Sequence, residues 1–163
     1  MSSMDMPRHV PLFPALDGRL WRTILLAGLA ADLLWEGWAR LITPMLVGGP
    51  LEPAALVQSV FGWQSRFAAE VVHALVGVVA YPIGYLFVAR PLQRLLLPTL
   101  PLLPTGLGFG IGLWVFALYV MAHLIAGLPP FLGFVPLAWA SLAGHLIFGV
   151  TVALVVAWRE AGR

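Results

Sequence analysis

Six side chains of this sequence sit within or beside long apolar runs and are of types that move protons or bind ligands: Asp32, Glu36, Glu70, His73, His123 and His145. Carboxyl and imidazole groups switch between neutral and charged forms, and they are the usual proton carriers inside membranes. They are also the ligands left for a metal ion, because the chain has no cysteine and so neither a thiolate site nor a disulfide.

Asp32, His73 and His145 form the stronger set. Each lies one turn from a glycine, Gly28, Gly77 and Gly149 respectively, and small residues at helical spacing mark faces that pack on other helices. The stripe Ala69, His73, Gly77, Ala80, Gly84 and the stripe Ala138, Ser141, His145, Gly149 are of this kind. A charged Asp deep in a bilayer costs ~2.5–3.5 kcal/mol on insertion scales, so it is kept where it is paired, neutral or beside a wet cavity. The competing reading is structural: buried polar groups often only bond helix to helix, at about 0.6 kcal/mol apiece. Glu36 and Glu70 are weaker candidates, since Glu36 with Arg40 and Arg66 with Glu70 are spaced i,i+4 as interfacial ion pairs. His123, near the end of its apolar run, fits a histidine with its ring in interfacial water.

Glu70-x-x-His73 has the spacing of the di-iron bundle motif, but that site needs a second copy and two further carboxylates. With one copy here, a full di-iron centre is not expected. A mononuclear Zn or Fe site from His73, His145 and a carboxylate stays open, as does haem held by two histidines, although spacing singles out no pair. The first reading is therefore no cofactor, with metal or haem as the alternative.

The elements that position these groups are membrane spans. The 163 residues are 61% hydrophobic and 10% charged with mean hydropathy +0.94, where a soluble domain carries roughly 25% charged residues. Between Arg66 and Arg90 lie 23 residues, enough to cross the ~30 Å hydrocarbon core as a helix. Between Arg94 and Arg159 lie 64 residues without a charged side chain, enough for two crossings. The fold expected is all-α, a polytopic four-transmembrane-helix bundle with spans at about 21–41, 67–89, 105–126 and 136–158. Residues 1–20 and 159–163 are the expected tails, and the first span is read as uncleaved. Residues 53–63 read as a short interfacial helix, Pro82 as a kink, and residues 90–104 as a Leu-rich loop, extended toward its end. Gly106, Gly108, Gly110 and Gly112 make two overlapping GxxxG patterns, and Gly110 and Gly112 are expected in helix contacts.

Arginine asymmetry sets the expected orientation. With both termini cytoplasmic, Arg8, Arg19, Arg22, Arg90, Arg94, Arg159 and Arg163 fall inside and only Arg40 and Arg66 outside. Trp35, Trp38, Trp63 and Trp139 then belong to the outer aromatic belt, Trp21 and Trp158 to the inner one. Counted from the outer ends of their spans, Asp32 and His145 both lie ~14 Å deep, which raises the expectation that they pair. The basic residues are scattered between spans rather than gathered on one face, which argues against nucleic acid. The partner expected is the lipid bilayer, with a homo-oligomer or a membrane partner protein open.

His73 followed by Tyr81-x-x-Gly84-Tyr85, a Gly-rich third span, Gly127-Leu128-Pro129-Pro130 and Gly144-His145 opening an apolar last helix resemble the YagU-like bacterial inner-membrane proteins. The likeness covers roughly Ala27 to Trp158. It implies a multi-pass protein of four helices in the bacterial inner membrane, with no established catalytic activity or cofactor. His123 has no counterpart in that pattern. The residues themselves point to proton-linked sensing or passage at an Asp/His site open to the outer side. The rivals are an intramembrane metal- or haem-binding protein and a structural or assembly subunit, and no constellation assigns an enzyme activity.

Overall fold

The computed structural model describes residues 12–162, and the regular structure among them is entirely helical. Residues 1–11 of the expected N-terminal tail and Arg163 lie outside the described residues. Helix α1 covers residues 18–47, α2 Pro53–Phe61, α3 Arg66–Leu96, α4 Leu102–Ile125 and α5 Pro136–Ala161. Of these, α3, α4 and α5 are long and apolar enough to cross a membrane, as a multi-pass membrane protein requires. Helix α1 is as long but carries Arg19, Arg22, Asp32, Glu36 and Arg40. Its start is fixed by Asp17, whose side chain accepts the backbone N–H groups of Arg19 and Leu20 at 3.0 and 2.8 Å.

Prolines shape the helices without ending them. Four stretches widen to the i→i+5 pattern; three of them, Trp38–Ile42, Val76–Ala80 and Tyr85–Ala89, each stop two residues before a proline, Pro44, Pro82 and Pro91, while the fourth, Phe116–Ile125, ends helix α4 with no proline at that spacing. A proline removes one N–H and crowds the carbonyl four residues back, and a locally wider turn accommodates both. Helix α3 therefore runs through Pro82 and Pro91 to Leu96, and only residues 97–101 separate it from α4. The loop expected over residues 90–104 is thus mostly helix.

Glycines set how closely the helices approach. A Cβ on Gly106 would press on Gly149 and Val150, one on Gly110 would overlap the His145 carbonyl, and one on Gly28 the Val78 carbonyl. Gly108 and Gly112 face open space. The expectation for Gly110 thus holds and that for Gly112 fails: residues two apart point about 200° away from each other, whereas residues four apart share a face. Below these contacts Ile24, Ala27, Tyr85, Val152 and Val156 form a fully buried core. The outer surface of the bundle is apolar, with Leu33 71% exposed and Leu25, Leu29, Val88 and Leu154 also exposed.

Helices α3 and α4 meet near the Arg90 end, where Tyr85 packs edge-on to Phe109 at 5.3 Å. Toward the Arg40 end α2 lies between them, packed on Arg66–Leu75 and on Phe116–Ile125. The short helix expected in the interface thus packs between these two helices, with Ala54 buried. Gly48 (φ +80°) and Gly62 (φ +67°) close the turns on either side of it. After Gly127, residues Phe131, Leu132 and Phe134 adopt left-handed φ values of 50–56°. That conformation costs roughly 1–2 kcal/mol per residue. Phe131 stacks on Trp114 at 4.7 Å and on Tyr119 at 5.5 Å, and Trp114 Nε1 donates to the Ala138 carbonyl at 3.1 Å. The loop thereby folds back along α4, so α5 starts well short of the end of α4. His145 lies opposite Gly110, which is ~22 Å from the end of α4 at Ile125. Counted along α4, His145 thus lies further from a helix end than it does along α5 itself.

Candidate functional site

A cavity of about 430 Å³ lies where α3 and α4 diverge. Helix α1 contributes Asp32 and Trp35 to its wall, α3 contributes His73 and Tyr81, and α5 contributes Ser141 and His145. Helix α2 covers it and Phe116, Leu118 and Leu132 supply apolar wall. Asp32, His73 and His145, which come from three helices, thus line one space. Toward the Arg90 end that space is closed by Phe148 and the packed core behind it.

Trp35 organises this wall. It is only 5% exposed, because Gly144 leaves room for its ring against α5. Its indole meets the His145 ring edge-on at 4.6 Å and the His73 ring at 6.3 Å. This overturns its assignment to the outer aromatic belt, whereas Trp21, Trp139 and Trp158 are exposed. The Trp35 Nε1–H group is buried and has no acceptor among the described residues.

His145 Nδ1 lies 2.8 Å from the Ser141 carbonyl, which assigns the proton to Nδ1. Nε2 is then left with a lone pair, to which no described residue donates. Asp32 makes no hydrogen bond or ion pair with any described residue, and its Oδ1 rests against Gly77 at the place a Cβ would occupy. The direct Asp32–His145 pair is therefore not formed, since Trp35 is what the His145 ring meets. A buried polar group without a partner costs about 1–3 kcal/mol; in this wall the Trp35 Nε1–H is such a group, and the half-buried Asp32 carboxyl beside it is also without a donor.

The carboxylates at the mouth are arranged differently. Arg40 pairs with Glu36 and, at 3.4 Å, with Glu70. Arg66 reaches Glu70 at 3.6 Å and Glu52 at 3.5 Å. The two i,i+4 pairs thus join into a five-residue chain of alternating charge that ties α1, α2 and α3 together. His123 stands apart from the cavity: its Nδ1–H donates to the Leu128 carbonyl at 2.8 Å and closes the turn after α4. Among the described residues no three His, Asp or Glu side chains come close enough to hold a metal ion.

Sequence reasoning missed Trp35 as a wall residue, although its spacing of seven from Gly28 places both on nearly the same helix face. It also missed the two-pronged pair of Arg90 with Glu160 at the other end, which joins α3 to α5 across 70 positions and has no local signal. No family model, curated protein or solved structure matches this chain.

Proposed function

We propose that this chain is a four-span protein of the bacterial inner membrane, of the YagU-like kind, which binds a ligand in the Asp32/His73/His145 cavity from the outer side in a proton-linked manner. The observation that carries the reading is the convergence of three titratable side chains, none neutralised by a protein partner, on one cavity with an apolar far wall. Ion-paired carboxylates would be silent to pH changes near neutrality, whereas groups held ready without partners respond to solvent or to a ligand. The packed core toward the Arg90 end favours sensing over passage, since a proton path needs polar groups or water on both sides of the site. Helix α1 is the fourth span in this reading: its lipid-side residues are leucines, Asp32 turns to the cavity, and Glu36 and Arg40 fall in the charged rim. The arginine asymmetry puts that rim outside.

The test is nitrogen NMR of labelled histidine in protein reconstituted in vesicles, with His73→Gln and His145→Gln assigning the signals. Changing the external pH alone should move the signals of both rings, and changing the internal pH alone should leave them. A response to both sides would replace sensing by passage, and a response to neither would remove the proton-linked reading. Reporter fusions after Ser65 and after Pro130 should lie outside and a fusion after Arg94 inside, and an outside signal after Arg94 would end the four-span assignment.

A further inference from the structure

The chemistry of the cavity also selects among ligands. Its volume of about 430 Å³ falls within the roughly 300–1,000 Å³ of small-molecule sites. Charge at the Arg40 end is unbalanced: Asp32, Glu36, Glu52 and Glu70 face only two guanidinium groups, Arg40 and Arg66. Five of those six charges belong to one rim network, so the acid left over inside is Asp32, which has no donor among the described residues. Beside it stand ring faces and edges: Phe148 lies 3.8 Å from the Cβ position of Gly77, and Tyr81 packs edge-on to Phe148 at 5.6 Å. Trp35 and the two imidazoles complete this half of the wall. A carboxylate among aromatic rings, at the end of an apolar space, is complementary to a cation carried on an apolar body, because the ring faces attract the cation while the walls bury the remainder. An anion would meet the unpaired Asp32 and an excess of carboxylates on its way in. A neutral apolar molecule would leave Asp32 desolvated and unpaired.

We infer that the cavity accepts a small organic ammonium ion, its charged head beside Asp32 and the rings of Trp35, Tyr81 and Phe148, and its apolar body against α2 and α4. The inference rests on the reading of this cavity as a ligand site open at the Arg40 end. It adds that protons and the ligand compete. Protonation of Asp32, or of His73 or His145 facing it from α3 and α5, removes the attraction; Glu36 on α1, Glu52 on α2 and Glu70 on α3 add to it from the rim, and Arg40 and Arg66 oppose it.

The experiment uses benzyltrimethylammonium, whose charge does not depend on pH, and neopentylbenzene, its neutral carbon isostere. Binding to the full chain in phosphatidylcholine nanodiscs is measured by calorimetry at several pH values. The cation should bind at least tenfold more tightly than the isostere and lose at least tenfold in affinity in Asp32→Asn, with binding retained in Asp32→Glu. Its affinity should fall as the pH is lowered. A second variant, Val76→Trp, should block the cation by filling the cavity while Asp32 stays in place. Equal affinity for the two probes, or an unchanged affinity in Asp32→Asn together with Val76→Trp, would overturn the inference. The histidine NMR response to external pH without any ligand separates the two failures: if it persists while the cation does not bind, the ligand class falls and the proton-linked reading stands.

Discussion

The two ends of the bundle are built from the same helices and differ in what fills the space between them. At the Arg90 end α1, α3 and α5 close on Ile24, Tyr85, Val152 and Val156, and α3 is tied to α5 by Arg90 and Glu160. At the Arg40 end α3 and α4 are held apart by α2, and the space encloses partnerless polar groups under a rim of exposed ion pairs. The first end gains from burial and close approach, while the second gives up part of that gain to keep a cavity and its Asp and His side chains available. Strain and unsatisfied groups concentrate where a protein binds something, because packing alone would remove them.

The largest effect expected is at the glycines that permit close approach. Gly110→Leu and Gly149→Leu each force the α4 and α5 backbones apart and should cost about 3 kcal/mol or more, enough to prevent a stable fold. Gly108→Leu and Gly112→Leu should change stability by less than about 0.5 kcal/mol. Unfolding in mixed micelles measures all four, and equal costs would mean that the α4–α5 register is different.

The ion pairs at the two ends come next. Arg90 and Glu160 have side chains 19% and 27% exposed, so Glu160→Ala strands a half-buried guanidinium and should cost about 2 kcal/mol. At the other end the Arg40 side chain is 54% exposed, and Arg40→Ala should cost at most about 1 kcal/mol. High salt should weaken the Arg40 network more than the Arg90 pair. A reversed order of the two costs would undo the contrast between a packed end and an open one.

Asp32→Leu should change stability with the opposite sign. It removes an unpaired carboxyl from the cavity wall at similar volume, and a gain of about 1 kcal/mol in unfolding free energy is expected. A loss of more than 1 kcal/mol would mean that Asp32 bonds something that stabilises the fold. The smallest effect concerns the turns flanking α2. Gly62→Ala places a Cβ at φ +67° and should cost about 1 kcal/mol, while Gly49→Ala, with open space and no positive φ, should cost close to nothing. If Gly62→Ala also slows hydrogen exchange in α2, that helix is a cover whose mobility the turn controls.

The apolar spans, their small-residue faces and the i,i+4 pairs of Glu36 with Arg40 and Arg66 with Glu70 were legible in the sequence, because each depends on residues within a turn or two of one another. So was the membership of Asp32, His73 and His145 in helix faces that turn inward. Other features needed the tertiary structure. Gly106 rather than Gly112 joins Gly110 because α5 approaches one face of α4 and not the other. His145 lies opposite Gly110, far from the end of α4, because the 130–134 turn folds back on Trp114 and starts α5 part-way along α4. Trp35 is buried, and not exposed on the outer surface of the bundle, because Gly144 on a distant helix leaves room for its ring. The cavity exists because α2, which the sequence presents as an amphipathic surface helix, is wedged where two spans diverge. Local periodicity determines which faces are apolar or small; which faces meet, at what height and with what left over between them is decided by segments far apart in the chain settling against one another.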